Sequence, residues 1–234
     1  MSYQHIRVDL VKNLFASSIN EDEAVFLYLD CSGIIVKTVS GTVGFDIANF
    51  LRNKEIDAIE SLDLLFFTHI HEDHFDLRQT LEIFRATGVH IVAEPLVAKA
   101  LEGKIPSEKL TAAVPERMYA IGDFKISTIK GIHGAPINLY FVSIGELNIF
   151  HAGDSGYVPL KVPRTDLAFL PTGRNPSKPE QAFRMALALK PKVAVAMHGT
   201  PDLHKKFQRK VLEAIPETKV IIPKPYSCIR ASVK

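Results

Sequence analysis

One segment constrains this chain more than any other: Asp63-Leu64-Leu65-Phe66-Phe67-Thr68-His69-Ile70-His71-Glu72-Asp73-His74. Its first half, 63–68, is a continuous apolar run of strand length, which suits a strand buried on both faces. Its second half puts four side chains able to ligate a metal into six residues. His69 and His71 stand at i and i+2, so an extended chain points them to one side. Asp73 and His74 fall where the strand gives way to a predicted helix over 75–87, with Gly88 at its stop. A turn there can bring four donor atoms toward one small volume. Imidazole with carboxylate suits Zn²⁺, and Mn²⁺, Fe or Co²⁺ accept the same donors. The pattern arises by chance on the order of once in a thousand chains of this size. The competing reading is three solvated histidines on a loop. Adjacent imidazoles directly behind an apolar strand would then crowd one another without a shared partner.

Such a site needs a scaffold, and the composition supplies one. Of 234 residues, 47% are hydrophobic and 23% charged, the mix of a globular chain. At this length roughly three quarters of the unfolded surface can be buried, so the core does not depend on a metal. We expect one domain covering 1–234. The pattern gives strands at 24–29, 33–39, 42–46, 89–93, 110–114, 124–130, 138–143, 147–151, 166–170, 193–197 and 219–222, with helices at 47–53, 96–101, 177–189 and 202–214. Residues 24–39 read as a hairpin with Gly33 in its turn, and 138–151 as another through Ile144-Gly145-Glu146. Antiparallel runs early and strand–helix alternation late indicate a mixed α/β fold. Cys31 and Cys228 are too few and too far apart for a disulfide framework or a CxxC metal site, which favours reduced thiols in the cytoplasm. The first ten residues lack the apolar run of a signal peptide, and no stretch is long enough to span a membrane.

Four ligands this close in sequence cannot complete two metal sites, so further donors must come from elsewhere. Three positions share one placement. His133 follows the strand at 124–130, Asp154 follows 147–151, and His198 follows 193–197, each beside or near glycine. Loops at strand ends are where sites are usually built.

With those residues in place, the chain resembles the metallo-β-lactamase-fold hydrolases. Thr68-His69-Ile70-His71-Glu72-Asp73-His74 matches the signature loop, and His133, Asp154 and His198 follow in the family's order. Stretches 66–75, 150–156, 166–171 and 191–198 resemble the branch containing L-ascorbate-6-phosphate lactonase, within a likeness spanning about 24–223. The resemblance implies a four-layer αβ/βα sandwich of two mixed β-sheets. It implies that His69, His71 and His133 hold one metal, that Asp73, His74 and His198 hold another, and that Asp154 bridges them. Zn²⁺ is the first expectation, with Mn²⁺ or Fe as alternatives. Asp46 resembles the family's aspartate that supports the ligand loop, although Ile47-Ala48 replaces the usual Asp-Pro or Asp-Gly, and an exposed turn aspartate is the competing reading. Thr68 either orients a ligand or is a plain strand residue.

The implied chemistry is hydrolysis by a hydroxide shared between two ions, with Asp73 orienting or deprotonating the nucleophile. His151 and His204 lie near ligands in sequence and are candidates for leaving-group acid. Their simpler readings are a strand-end residue and a solvated helix residue. Glu72 should be exposed and Asp76 should cap the following helix. From 204 to 234 there are eight Lys or Arg against two Glu, in a chain of net charge +2. That is either an anion-binding rim or a solvated helix face with a basic tail, and the latter is favoured. The expected substrate is a small, anionic ester, lactone or phosphodiester. A tRNase Z-like RNA endonuclease is the alternative, weakened by sparse aromatic residues and the lack of an RNA-clamping arm. The chain is too short for a β-CASP insertion, and its tail looks too short and strand-containing for the helical substrate domain of glyoxalase II. A non-catalytic metal-binding protein is the remaining class. Family members often associate, so a homo-oligomer is a further expectation.

Overall fold

The computed structural model describes residues 3–233; Met1, Ser2 and Lys234, the last residue of the basic stretch, lie outside it. Among the described residues the chain forms two compact units. The first runs to Ala113 and adds Lys224–Ala231; the second is Val114–Pro223 with the residues from Ser232 onward. Each contains one seven-stranded mixed sheet with helices packed on it. No described helix is long and apolar enough to cross a membrane.

The first unit opens with helix α1 (Tyr3–Ala16). Strands β1 (Glu23–Asp30), β2 (Gly33–Thr38) and β3 (Gly41–Phe45) follow as an antiparallel meander. The hairpin at 24–39 is therefore present. Its turn residue with positive φ is Cys31, whose N–H donates to the Asp30 carboxylate. After helix α2 (Asn53–Ile56), the strands β4 (Leu64–Phe67), β5 (His90–Ala93) and β6 (Leu110–Ala112) continue the sheet in parallel. Helices α3 (Leu77–Thr87) and α4 (Pro95–Leu101) connect them. The C-terminal strand Ser227–Ser232 forms the edge beside β1. Val11 and Leu14 of α1, Ile83 of α3 and Val97 of α4 pack with Leu27, Ile35, Leu65 and Phe67 in one core.

Two expectations change here. No helix fills 47–53, because Asp46 and Ala48 both take positive φ, 44° and 41°, which stops a right-handed helix from propagating. Ile47, Ala48 and Leu51 are buried in this irregular segment, and α2 begins only at Asn53. Helix α1 was not read from the pattern at all. Its core-facing residues Arg7, Val11, Leu14 and Phe15 do recur at helical intervals, but the set includes a cation. Arg7 is buried by pairing: its guanidinium lies 2.8 Å from the Glu55 carboxylate and 3.6 Å above the Tyr226 ring, and donates to the Phe50 carbonyl.

In the second unit β7 (Met118–Ile121), β8 (Phe124–Lys130), β9 (Asn138–Ile144) and β10 (Leu147–His151) form an antiparallel meander. Then β11 (Leu167–Pro171), β12 (Val193–Met197) and β13 (Lys219–Ile221) extend the sheet in parallel from β10. Helices α5 (Pro179–Leu189) and α6 (Pro201–Ala214) make the crossovers. Ala168, Ala194 and Ala196 keep the sheet surface low, and Met185 and Leu189 of α5 with Phe207 and Val211 of α6 fill the space above it. One consequence positions the site. Strands β8, β10, β11 and β12 all run in the same direction, so the loops that follow them leave the same edge of the sheet. Ligands in open α/β sheets bind at that carboxyl edge.

Breaking a buried ion pair leaves an uncompensated charge, at a cost of about 3–5 kcal/mol. Arg7→Ala should therefore lower the unfolding free energy by about 3 kcal/mol in a urea titration. A loss below about 1 kcal/mol would show the pair to be incidental.

Candidate metal centre

In the first unit the donors come from the loop between β4 and α3. A tight turn shapes it, with the N–H groups of His74 and Phe75 donating to the His71 carbonyl at 3.0 and 2.8 Å. The turn gathers the imidazoles: the ring centroids of His69 and His71 are 4.6 Å apart, and those of His69 and His74 only 4.0 Å. His69 and His74 are fully buried, while His71 is exposed and the Asp73 side chain is 46% exposed. An Asp73 carboxylate oxygen stands 3.7 Å from His74 Nε2. Glu72 is exposed. Asp76 caps α3, its carboxylate accepting from the Gln79 N–H.

Beneath this loop sits Asp46, which the parallel pairing of β3 with β4 places beside Thr68. It is fully buried rather than an exposed turn residue. One carboxylate oxygen accepts from the Thr68 N–H at 2.8 Å. The other accepts from the Thr68 hydroxyl at 2.7 Å and lies 2.8 Å from His74 Nδ1. Thr68 Oγ1 also lies 3.1 Å from His69 Nδ1. The carboxylate fixes the His74 tautomer with its proton on Nδ1, which leaves the Nε2 lone pair available for a metal.

In the second unit the donors come from three loops at one sheet edge. His133 Nδ1 is 3.6 Å from one Asp154 oxygen, and His198 Nε2 is 3.7 Å from the other. The His133 and Asp154 loops are pinned together: the Ile132 N–H donates to Ser155 Oγ at 2.8 Å, and the Gly156 N–H donates to the Ile132 carbonyl at 2.8 Å. His198 sits in the left-handed region at φ 47°. Strain of this kind collects at functional sites, where the surroundings hold it in place.

His204 differs from the solvated helix residue expected. It is buried on the inner face of α6, its Nδ1 2.6 Å from the Thr172 hydroxyl. Burial, with His198 nearby, holds its pKa below the usual imidazole range. The sequence signal was present, because His204, Phe207 and Val211 share one helical face. His151 is a buried strand residue whose Nδ1 accepts from the Gly153 N–H at 3.2 Å, at the turn leading to Asp154.

Residues 34–199 match the family described as Beta-lactamase superfamily domain, and the chain belongs to that family. The fold is similar to that of Igni18, a metallo hydrolase from the hyperthermophilic archaeon Ignicoccus hospitalis, at TM-score 0.75 and 23% identity over 90% of this chain and all of that one. It is similar also to YhfI, a metallo-beta-lactamase fold protein of Bacillus subtilis, at TM-score 0.67 and 14% identity over 90% of this chain and all of that one. CmlA, a diiron beta-hydroxylase from Streptomyces venezuelae, aligns at TM-score 0.69 and 13% identity over 92% of this chain and 55% of its own. No curated protein matches the sequence.

The donor chemistry fits divalent metal ions. Each unit crowds imidazoles and carboxylate together with a supporting carboxylate or strained loop, an arrangement that positive ions relieve and that solvated side chains would avoid. Loss of a group supporting a ligand typically costs 10–100-fold in metal affinity. Asp46→Asn should therefore weaken metal binding about tenfold or more in competition with a chelator, and Thr68→Val should do so to a lesser degree. Unchanged affinity in Asp46→Asn would remove the supporting role.

Proposed function

We propose that the chain acts as a single metallo-β-lactamase-like domain, a hydrolase with a dinuclear metal centre. In this reading His69, His71 and His133 would hold one ion, Asp73, His74 and His198 would hold the other, and Asp154 would serve both. The observation that carries it is the Asp46–Thr68–His74 arrangement. A buried carboxylate that orients an imidazole from behind is the usual support of a metal-ligating histidine. The ions are Zn²⁺ by donor type, with Mn²⁺ or Fe compatible, and CmlA is a neighbour named as diiron.

Held by these residues, two divalent ions would supply a hydroxide nucleophile near neutral pH and would stabilise the developing oxyanion. The chain's own part is orientation and proton handling. Asp73 is the half-exposed carboxylate of the loop, and its role in this reading is to take or steer the nucleophile's proton. His74 is held against rotation by Asp46. His204, buried and bonded to Thr172, acts as a structural residue rather than as leaving-group acid.

The substrate is a small anionic ester, lactone or phosphodiester. Likeness of the stretches named above to the L-ascorbate-6-phosphate lactonase branch supports this, and so do neighbours named as hydrolases. We place the protein in the cytoplasm, where Cys31 and Cys228 remain thiols. An RNA endonuclease is the competing outcome of the test.

Purified protein should carry close to two transition-metal ions per chain by elemental analysis. His69→Ala and Asp154→Ala should each abolish hydrolysis of bis(p-nitrophenyl) phosphate and simple lactones while keeping the circular dichroism of the parent. Absence of metal after gentle purification, or cleavage of pre-tRNA alone, would contradict the proposal.

A further inference from the structure

The loop after β11 is placed by topology and by two close approaches. Strand β11 lies between β10 and β12 and parallel to both, so its loop leaves the sheet between those carrying Asp154 and His198. The loop is pressed against each. On the His198 side, the Thr172 N–H donates to the Met197 carbonyl at 2.9 Å. A Cβ on Gly173 would stand 2.6 Å from the His198 carbonyl oxygen and 2.9 Å from its Nδ1, closer than real contacts allow. On the Asp154 side, a Cβ on Gly156 would meet Pro176 at 3.2 Å. Residue 173 thus abuts one ligand loop and residue 176 the other. The two residues between them, Arg174 and Asn175, are both exposed. Their backbone is held from below, where Ser177 Oγ donates to the Arg174 carbonyl at 3.0 Å.

Arg174 has no ion-pair partner among the described residues, unlike Arg164, which pairs with Asp166, and Lys206, which pairs with Glu180. An exposed arginine is ordinarily just a solvated one. This one stands on a braced segment spanning the gap between His198 and Asp154, whose facing atoms are 3.7 Å apart. A guanidinium is a fixed fork of donors matched to carboxylate and phosphate oxygens, and an asparagine amide adds two more donors.

We propose that Arg174, with Asn175 beside it, is the anion-recognition site of this enzyme, gripping an oxyanion of the substrate remote from the bond that is cleaved. The inference deepens the hydrolase reading and rests on it for the word substrate. It makes the loop after β11, rather than the basic C-terminal stretch, the source of selectivity for anionic compounds.

Phenylphosphonate, an anion that cannot be hydrolysed, provides a test independent of turnover. Titration calorimetry on metal-loaded protein should show Kd about tenfold weaker in Arg174→Ala and Arg174→Gln than in the parent, the size expected for loss of a charge-assisted hydrogen bond. Arg174→Lys should recover part of the loss. Lys178→Ala, an exposed neighbour, should bind as the parent does, and metal content should be equal throughout. In kinetics, the ratio of kcat/KM for mono-p-nitrophenyl succinate, whose carboxylate is remote from the scissile ester, over that for neutral p-nitrophenyl acetate should fall by a similar factor in Arg174→Ala. Equal Kd in parent and Arg174→Ala, no binding by the parent, or an equal fall for both esters would overturn the assignment. If neither ester is hydrolysed but phenylphosphonate binding still depends on Arg174, the hydrolase reading fails and the anion site stands.

Discussion

The buried carboxylate of Asp46 is the constraint on which the histidine-rich loop of the first unit depends. A charge taken fully out of water needs several compensating partners. Here they are the backbone N–H and hydroxyl of Thr68 and the Nδ1 of His74. All three belong to the loop or its first residue. Satisfying Asp46 and shaping the loop are therefore one event. The backbone accepts a left-handed residue at Asp46 to achieve it, and a second at Ala48. A positive ion on the far side of His74 would complete a chain of alternating charge, carboxylate to imidazole to metal.

The second unit reaches a comparable result by topology. Its antiparallel meander and its parallel half meet at β10, and both deliver loops to the same edge. His133, Asp154 and His198 are separated by 21 and 44 positions in the numbering, yet Asp154 lies within 4 Å of both histidines. Small residues on β11 and β12 let α5 and α6 approach closely, and His204 on α6 ties Thr172 to the helix. The core thus sets where the loops leave, and the loops carry His133, Asp154 and His198.

What could be read from the sequence follows from how local each feature is. The strand at 64–67 and the clustering of His69, His71 and His74 behind it were legible because their signal lies within a dozen residues. The mixed α/β class, two sheets with flanking helices, was legible from the order of apolar runs. Asp46 stayed ambiguous because its partners are more than twenty residues away, and an aspartate after a strand looks alike whether buried or exposed. The helix expected to open within 47–53 begins only at Asn53, because left-handed backbone at Asp46 and Ala48 leaves no mark in the hydrophobic pattern. Helix α1 was missed because a buried arginine interrupts its apolar face, and its partners Glu55, Tyr226 and the Phe50 carbonyl are all distant in sequence. His204 was misjudged for the opposite reason: its neighbours Lys205 and Lys206 made the helix look solvated, while its own face points inward.

The proposed dinuclear centre makes a direct demand on where metal binds. Anomalous diffraction from crystals of metal-loaded protein, collected at the metal absorption edge, tests it most directly. Two peaks are expected, one against His69, His71 and His133, the other against Asp73, His74 and His198, with Asp154 touching both. A single peak, or peaks away from these seven residues, would contradict it.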